Sequence, residues 1–204
     1  MYKIIRQAIS KDLADFCYKY LLMKRDVAKF LINSKYMPPA ADLFGIWNDP
    51  QMPGTWTHYS DIAMETLLKK LQPLMETETE TKLYPTYSYT RLYKRGDVLE
   101  RHKDRYSCEI STTLNLGGDL WPIFLEPSGE EGKDGISVVL ESGDMLLYDG
   151  VNHEHWREAF EGESCGQVFL HYNDASLNKA EKNKYDTRPF LGLPQWFKGC
   201  GIIL

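Results

Sequence analysis

No two cysteines lie close together in this chain: Cys17, Cys108, Cys165 and Cys200 are the only four, and none forms the C-x-x-C pair of a structural zinc site or redox couple. Reduced thiols are the simpler reading. Long apolar runs are missing as well, since no stretch approaches the roughly 18 apolar residues needed to cross a bilayer, so no membrane role is expected. The opening residues Met1-Tyr2-Lys3-Ile4-Ile5-Arg6 lack the apolar core and small-residue cleavage site of a secretory leader, which makes the cytoplasm the expected location. Basic clusters are also lacking. The 24 Lys and Arg are scattered among 29 Asp and Glu, and a net charge of -5 leaves no electrostatic footprint for tight nucleic-acid binding. No internal repeat is evident, which argues against a solenoid or propeller.

What the chain does contain is enough apolar content, 43% over 204 residues, for one ordinary domain with an added terminal segment. Aromatics make up 13%, and many of the thirteen tyrosines fall in the middle of the chain. That distribution suits strands whose polar-tipped rings line a wet cavity, or equally ordinary sheet packing.

From Ser10 to about Leu31 the residues Leu13, Phe16, Cys17, Tyr20, Leu21, Val27, Phe30 and Leu31 recur mostly at three- and four-residue steps, predicting an amphipathic helix with Ser10 as its N-cap. Residues 34–59 hold Pro38, Pro39, Pro50, Pro53, Gly45 and Gly54 and read as a long irregular connection that either covers a site or wraps the core. A second helix fits Ser60 to about Met75, with Ile62, Leu67, Leu68 and Leu71 apolar and Pro73 weakening its end, followed by a polar loop over 77–81.

From Leu83 onward, eight short segments rich in Tyr, Thr, Ile, Val and Phe alternate with glycine turns: 83–94, 97–102, 108–116, 121–126, 135–141, 144–149, 154–159 and 166–173. The expected fold is therefore mainly β with flanking helices, a sandwich or jelly roll carrying the N-terminal helices on one outer face. Within a single domain the regions are a helical support over 1–82, the β core over 83–174 and a tail over 175–204, ending in Ile202-Ile203-Leu204, that docks on the core.

The chemistry concentrates in His102-Lys103-Asp104 and, farther on, Asn152-His153-Glu154-His155-Trp156-Arg157. In an extended segment residues i and i+2 share a side, so His102 and Asp104 converge while Lys103 points away. Two histidines and one carboxylate occupy one face of an iron and leave the opposite face open. A lone H-x-D is common and more often a surface histidine near an acid. His153, His155 and His171 compete for the third position.

Two longer motifs give these residues context. Tyr93 to Asp104 has the form Y-x-x-G-x-x-L-x-x-H-x-D, and Ser142-Gly143-Asp144-Met145-Leu146-Leu147-Tyr148-Asp149-Gly150 is a turn and strand leading to the second histidine cluster. With Cys108-Glu109-Ile110-Ser111, Trp121-Pro122-Ile123, Glu154-His155-Trp156-Arg157-Glu158 and Phe169-Leu170-His171-Tyr172, the region 83–173 resembles the Fe(II)- and 2-oxoglutarate-dependent oxygenases of the prolyl 4-hydroxylase-like branch, in particular bacterial and phage-encoded members.

The resemblance implies a cupin-like double-stranded β-helix with His102, Asp104 and His155 on Fe(II), leaving a core, cavity or supporting role to His153 and His171. It implies 2-oxoglutarate and O2 as cosubstrates, with ascorbate as a candidate accessory reductant. Tyr93 corresponds to the tyrosine that reaches 2-oxoglutarate, and Thr113 to a hydroxyl facing it. The last strand, Gln167 to Tyr172, departs from the family by offering no Arg or Lys for the distal carboxylate. Arg157 is the first substitute, two residues after His155, and Arg91 the second, with an edge position or cross-strand packing the plain alternatives. The implied reaction is hydroxylation of a C–H bond in a protein side chain, prolyl by analogy, or in a small molecule, yielding succinate and CO2. Asp104 itself argues against halogenation, because halogenating relatives carry a small residue there. Cupins place their H-x-H pair before the final histidine and fit His153-Glu154-His155 poorly, and a structural zinc fits a three-ligand set less well still. The competing class is a non-enzymatic jelly-roll module that binds a metal or ligand.

Overall fold

Parity along the central strands decides the architecture. From Tyr87 to Tyr93 the odd-numbered Tyr87, Tyr89 and Arg91 line an internal cavity, while Leu92 joins a separate apolar core on the opposite face. The same sorting holds farther on. Leu114, Leu116, Val168, Leu170 and Tyr172 join that apolar core, whereas Phe169 and His171 face the cavity. A strand that alternates in this way separates two environments, one of which must be covered.

The computed structural model describes residues 1–200, and the Ile202-Ile203-Leu204 end of the tail lies outside the described residues. The elements run β1 (Tyr2–Ile5), α1 (Lys11–Asn33), β2 (Trp56–Tyr59), α2 (Ile62–Thr79), β3 (Leu83–Lys94), β4 (Leu99–His102), β5 (Ile110–Gly118), β6 (Ile123–Leu125), β7 (Ile136–Val138), β8 (Met145–Asp149), β9 (His155–Arg157), β10 (Ser164–Asp174) and α3 (Asn178–Lys182). Six strands form a major sheet in the order β1-β8-β5-β10-β3-β2, and four form a minor sheet in the order β4-β9-β6-β7. All the strand pairings are antiparallel. The two sheets make the expected jelly roll, and α1 and α2 cover the outer face of the larger one. No helix among the described residues is long and apolar enough to cross a membrane.

Ser10 caps α1 as expected, its hydroxyl accepting from the Leu13 amide. The buried stripe differs from the expected one: Ala14, Cys17, Leu21 and Ala28 face the sheet, whereas Phe16 and Phe30 are each 64% exposed and Val27 is also exposed. Small residues win that face because the sheet surface is close. The Tyr18 ring already lies where a side chain on Gly166 would stand, 2.4 Å from its ideal Cβ.

α2 also departs from expectation. It runs through Pro73 to Thr79 and absorbs residues 77–79 of the region read as a loop, because burial of Leu71 and Met75 on either side of the proline holds it, and Glu80 ends it in the left-handed conformation. Ile62, expected to face inward, is 70% exposed. The connection over 34–59 contains a strand, β2, that adds to the sheet edge beside β3, and β1 is a further strand absent from the expected set.

Candidate metal centre

His102 and His155 are direct partners across the β4–β9 pairing, and their ring centroids lie 4.3 Å apart. Just beyond β4 the chain turns, with the Asp104 amide donating to the Gly150 carbonyl at 2.8 Å, and the carboxylate swings toward both rings. Asp104 Oδ1 lies 3.8 Å from His102 Nε2 and 3.7 Å from His155 Nε2. The three ligand atoms lie within 4.8 Å of one another. Lys103 is exposed on the other side.

The hydrogen bonds fix which nitrogens are available. His102 Nδ1 faces the Glu100 carbonyl at 2.7 Å and His155 Nδ1 faces the His153 carbonyl at 3.1 Å. A carbonyl only accepts, so each Nδ1 carries the proton and each Nε2 keeps its lone pair toward Asp104. Burial pulls the His155 pKa down to about 4 and also lowers that of His102, assisted by its neighbour His155. The Asp104 carboxyl is pushed up by burial to about 6, against the pull of His102 and the Ser111 hydrogen bond. At neutral pH the set is therefore two neutral imidazoles and a carboxylate, the protonation states a metal requires.

Gly150 makes the close approach possible. An ideal Cβ there would stand 2.6 Å from Asp104 Oδ2, 2.7 Å from Ser111 Oγ and 2.4 Å from the Cys108 carbonyl oxygen. His153 does not join the cluster. The strand begins only at His155, so His153 lies outside it, and its carbonyl, rather than its ring, supports the site.

The cluster opens into a cavity of about 220 Å³ walled by Tyr87, Tyr89, Arg91, Ile123, Tyr148, Phe169 and His171, with Asp49 and Gln51 reaching in from the 34–59 connection. That connection thus covers the site. Arg91 Nη2 donates to Asp49 Oδ2 at 2.7 Å and to Gln51 Oε1 at 2.5 Å, leaving its Nε without a partner. Arg157, 1% exposed, lies against Trp121, donates to the Trp121 carbonyl and reaches Thr113 Oγ1 at 3.4 Å, and its Nε is also unpartnered. It is therefore not a solvated edge residue. The fully buried Tyr93 hydroxyl likewise has no partner, and burial raises its pKa so that it keeps its proton. Thr113 Oγ1 donates to Gln167 Oε1 at 3.1 Å.

Asp49, Gln51, Gly150 and Trp121 carried no assigned role in the sequence reading. Gly150 and Trp121 stand inside the motifs that carry the resemblance, but the contacts that give all four a role are tertiary and cross elements.

No protein-family model matches this chain, and no curated protein does. Solved structures do. A prolyl-4-hydroxylase from Pseudomonas putida aligns at 12% identity over 85% of this chain and 93% of its own, with a TM-score of 0.57. AviO1 from Streptomyces viridochromogenes Tue57 aligns at 14% identity over 88% of this chain and 92% of its own, TM-score 0.62. HygX from Streptomyces hygroscopicus, solved with nickel and 2-oxoglutarate bound, aligns at 12% identity over 85% of this chain and 83% of its own, TM-score 0.60. At these identities the likeness is one of architecture, and the chain has the double-stranded β-helix fold of the 2-oxoglutarate and Fe(II) oxygenases.

Proposed function

We propose that the protein is an Fe(II)- and 2-oxoglutarate-dependent oxygenase that hydroxylates a C–H bond of a protein side chain or small molecule. The observation that carries this reading is the convergence of His102 Nε2, Asp104 Oδ1 and His155 Nε2 on one point at the wall of a cavity, with both Nδ1 atoms committed elsewhere. Two imidazoles and one carboxylate on a single face suit non-haem Fe(II) and leave positions for a chelating cosubstrate and oxygen. Bound there, iron would supply oxygen activation coupled to decarboxylation of 2-oxoglutarate, releasing succinate and CO2.

The chain's own residues orient and shield. His102, Asp104 and His155 hold the metal. Arg157 takes the distal carboxylate of 2-oxoglutarate, with Tyr93 and Thr113 as hydrogen-bonding neighbours and Arg91 as the second cation. The unpartnered Nε of Arg157, Nε of Arg91 and hydroxyl of Tyr93 support this, because buried donors left without acceptors are costly unless a ligand satisfies them. Asp49 and Gln51 steady Arg91 and limit water at the cavity mouth. A prolyl residue is the first substrate to test, by analogy with the P. putida enzyme. Ascorbate is the accessory reductant to include. Four free thiols support a reducing compartment, and we assign the cytoplasm.

Anaerobic addition of Fe(II) and 2-oxoglutarate should give a weak visible charge-transfer band. Asp104→Ala and His155→Ala should abolish it and His153→Ala should retain it; an unchanged band in Asp104→Ala rules the assignment out. Arg157→Ala should weaken apparent 2-oxoglutarate affinity more than iron affinity. A product screen by mass spectrometry for the gain of one oxygen atom identifies the substrate, and absence of any iron-dependent turnover across it favours a binding module instead.

A further inference from the structure

Behind Asp104, on the side away from the candidate metal, a buried hydroxyl joins three groups. Ser111 Oγ lies 3.0 Å from Asp104 Oδ2, 2.9 Å from His171 Nδ1 and 2.7 Å from the Cys108 carbonyl oxygen. Ser111 is fully buried and His171 is 5% exposed. Asp104, Cys108 and His171 also bring ligand atoms within 4.8 Å of one another. Because the Ser111 hydroxyl already bonds two of these three side chains, the group reads as a hydrogen-bond node and not as a second metal site.

Counting protons fixes the direction of the bonds. A hydroxyl has one hydrogen, and both the Cys108 carbonyl and an ionised Asp104 can only accept. His171 is a buried neutral imidazole, its pKa drawn down to about 3, so it carries a single N–H. Were that proton on Nε2, one hydroxyl hydrogen would have to serve three acceptors, leaving lone pairs facing one another at hydrogen-bond distance inside the protein. With the proton on Nδ1, His171 donates to Ser111, and the single Ser111 hydrogen is shared between Asp104 Oδ2 and the Cys108 carbonyl. The Nδ1–H tautomer thus cuts the acceptors competing for that hydrogen from three to two. It also leaves His171 Nε2 as a bare acceptor on a ring that lines the cavity.

We propose that His171 is a positioning residue that acts through Ser111, holding Asp104 Oδ2 so that Oδ1 alone is offered to the face shared with His102 and His155. This rests on the metal reading above. A carboxylate pinned at one oxygen takes one coordination position instead of two, which preserves the open positions that a 2-His-1-carboxylate centre uses. Outer partners of this kind typically govern metal affinity by roughly 10- to 100-fold.

The test uses Mn(II) as probe, titrated into the full chain by calorimetry, together with nitrogen-15 NMR of the metal-free protein. Ser111→Ala and His171→Leu should each weaken Mn(II) binding about tenfold or more. His171→Asn, whose amide N–H can stand in for the imidazole Nδ1–H, should recover most of the loss. The NMR should report His171 as the Nδ1–H tautomer. Wild-type Mn(II) affinity in both Ser111→Ala and His171→Leu, or an Nε2–H tautomer, overturns the inference while leaving the metal assignment intact. Wild-type affinity in Asp104→Ala overturns the metal assignment and the inference together.

Discussion

At the scale of the residue, the metal face depends on a position that carries no side chain. Replacing Gly150 by alanine would set a methyl group 2.6 Å from Asp104 Oδ2 and 2.4 Å from the Cys108 carbonyl oxygen, and the former must move because the latter is backbone. The expected outcome is loss of Fe(II) binding with the fold retained, checked by metal titration beside far-UV circular dichroism. The H-x-D spacing was legible as a motif, but Asp104 lies beyond β4 and reaches the rings through the turn after it, and Arg157 stands two residues after His155 inside β9. That His153 would serve through its carbonyl and not its ring was not legible, because it lies outside β9. Nor were Gly150 and Asp49, whose contributions exist only after distant segments meet.

At the scale of the element, buried ion pairs fasten the C-terminal segment. Arg188 reaches Glu65 of α2 at 2.8 Å with both side chains buried, and Arg105 grips Asp186 through two bonds at 2.6 and 2.7 Å. Tyr185, Asp186 and Thr187 are all left-handed, with φ of 56°, 56° and 64°, a strained run for residues other than glycine. Burial raises the Glu65 pKa even with Arg188 beside it, so stripping the partner is severe. Arg188→Met should cost about 3–5 kcal/mol, read from urea unfolding. A loss below about 1 kcal/mol, the range of an exposed pair, would show that the contact is not built as described. The sequence reading expected the tail to dock on the core but named none of these residues, because their partners lie on distant elements. The eight core strands were visible, since segments rich in Tyr, Thr, Ile, Val and Phe are set apart by glycine turns. β1 was missed because its residues are mostly exposed and form an edge, and β2 because prolines and glycines surround it. On α1, periodicity revealed apolar residues but could not tell which stripe the sheet would cover.

At the scale of the whole molecule, histidines held neutral set the acid response. Burial lowers the His171 pKa from 6.5 to about 3, with the Arg105 charge adding to it and Asp186 opposing. His58 is lowered too, by burial and the Lys24 charge against the pull of Asp61 and Asp42. In each case the folded pKa lies below the unfolded one, so the unfolded chain takes up the proton first. Stability is then fully present above pH 6.5 and falls as the pH drops from there toward the folded values, at about 1.4 kcal/mol per unit for each such group. Denaturant midpoints of the metal-free protein should decline between pH 7 and pH 5, and His171→Asn should flatten the slope; a pH-independent midpoint would contradict neutral burial. The jelly roll was legible in outline because it follows from counting strands and helices, while the cavity needed the sheets to close. The parity of β10 has a further consequence for how such a chain can change over generations. On β10 the even-numbered Val168, Leu170 and Tyr172 answer to the helices and the odd-numbered Phe169 and His171 to whatever enters the barrel, so a lineage can alter the second set without renegotiating its scaffold.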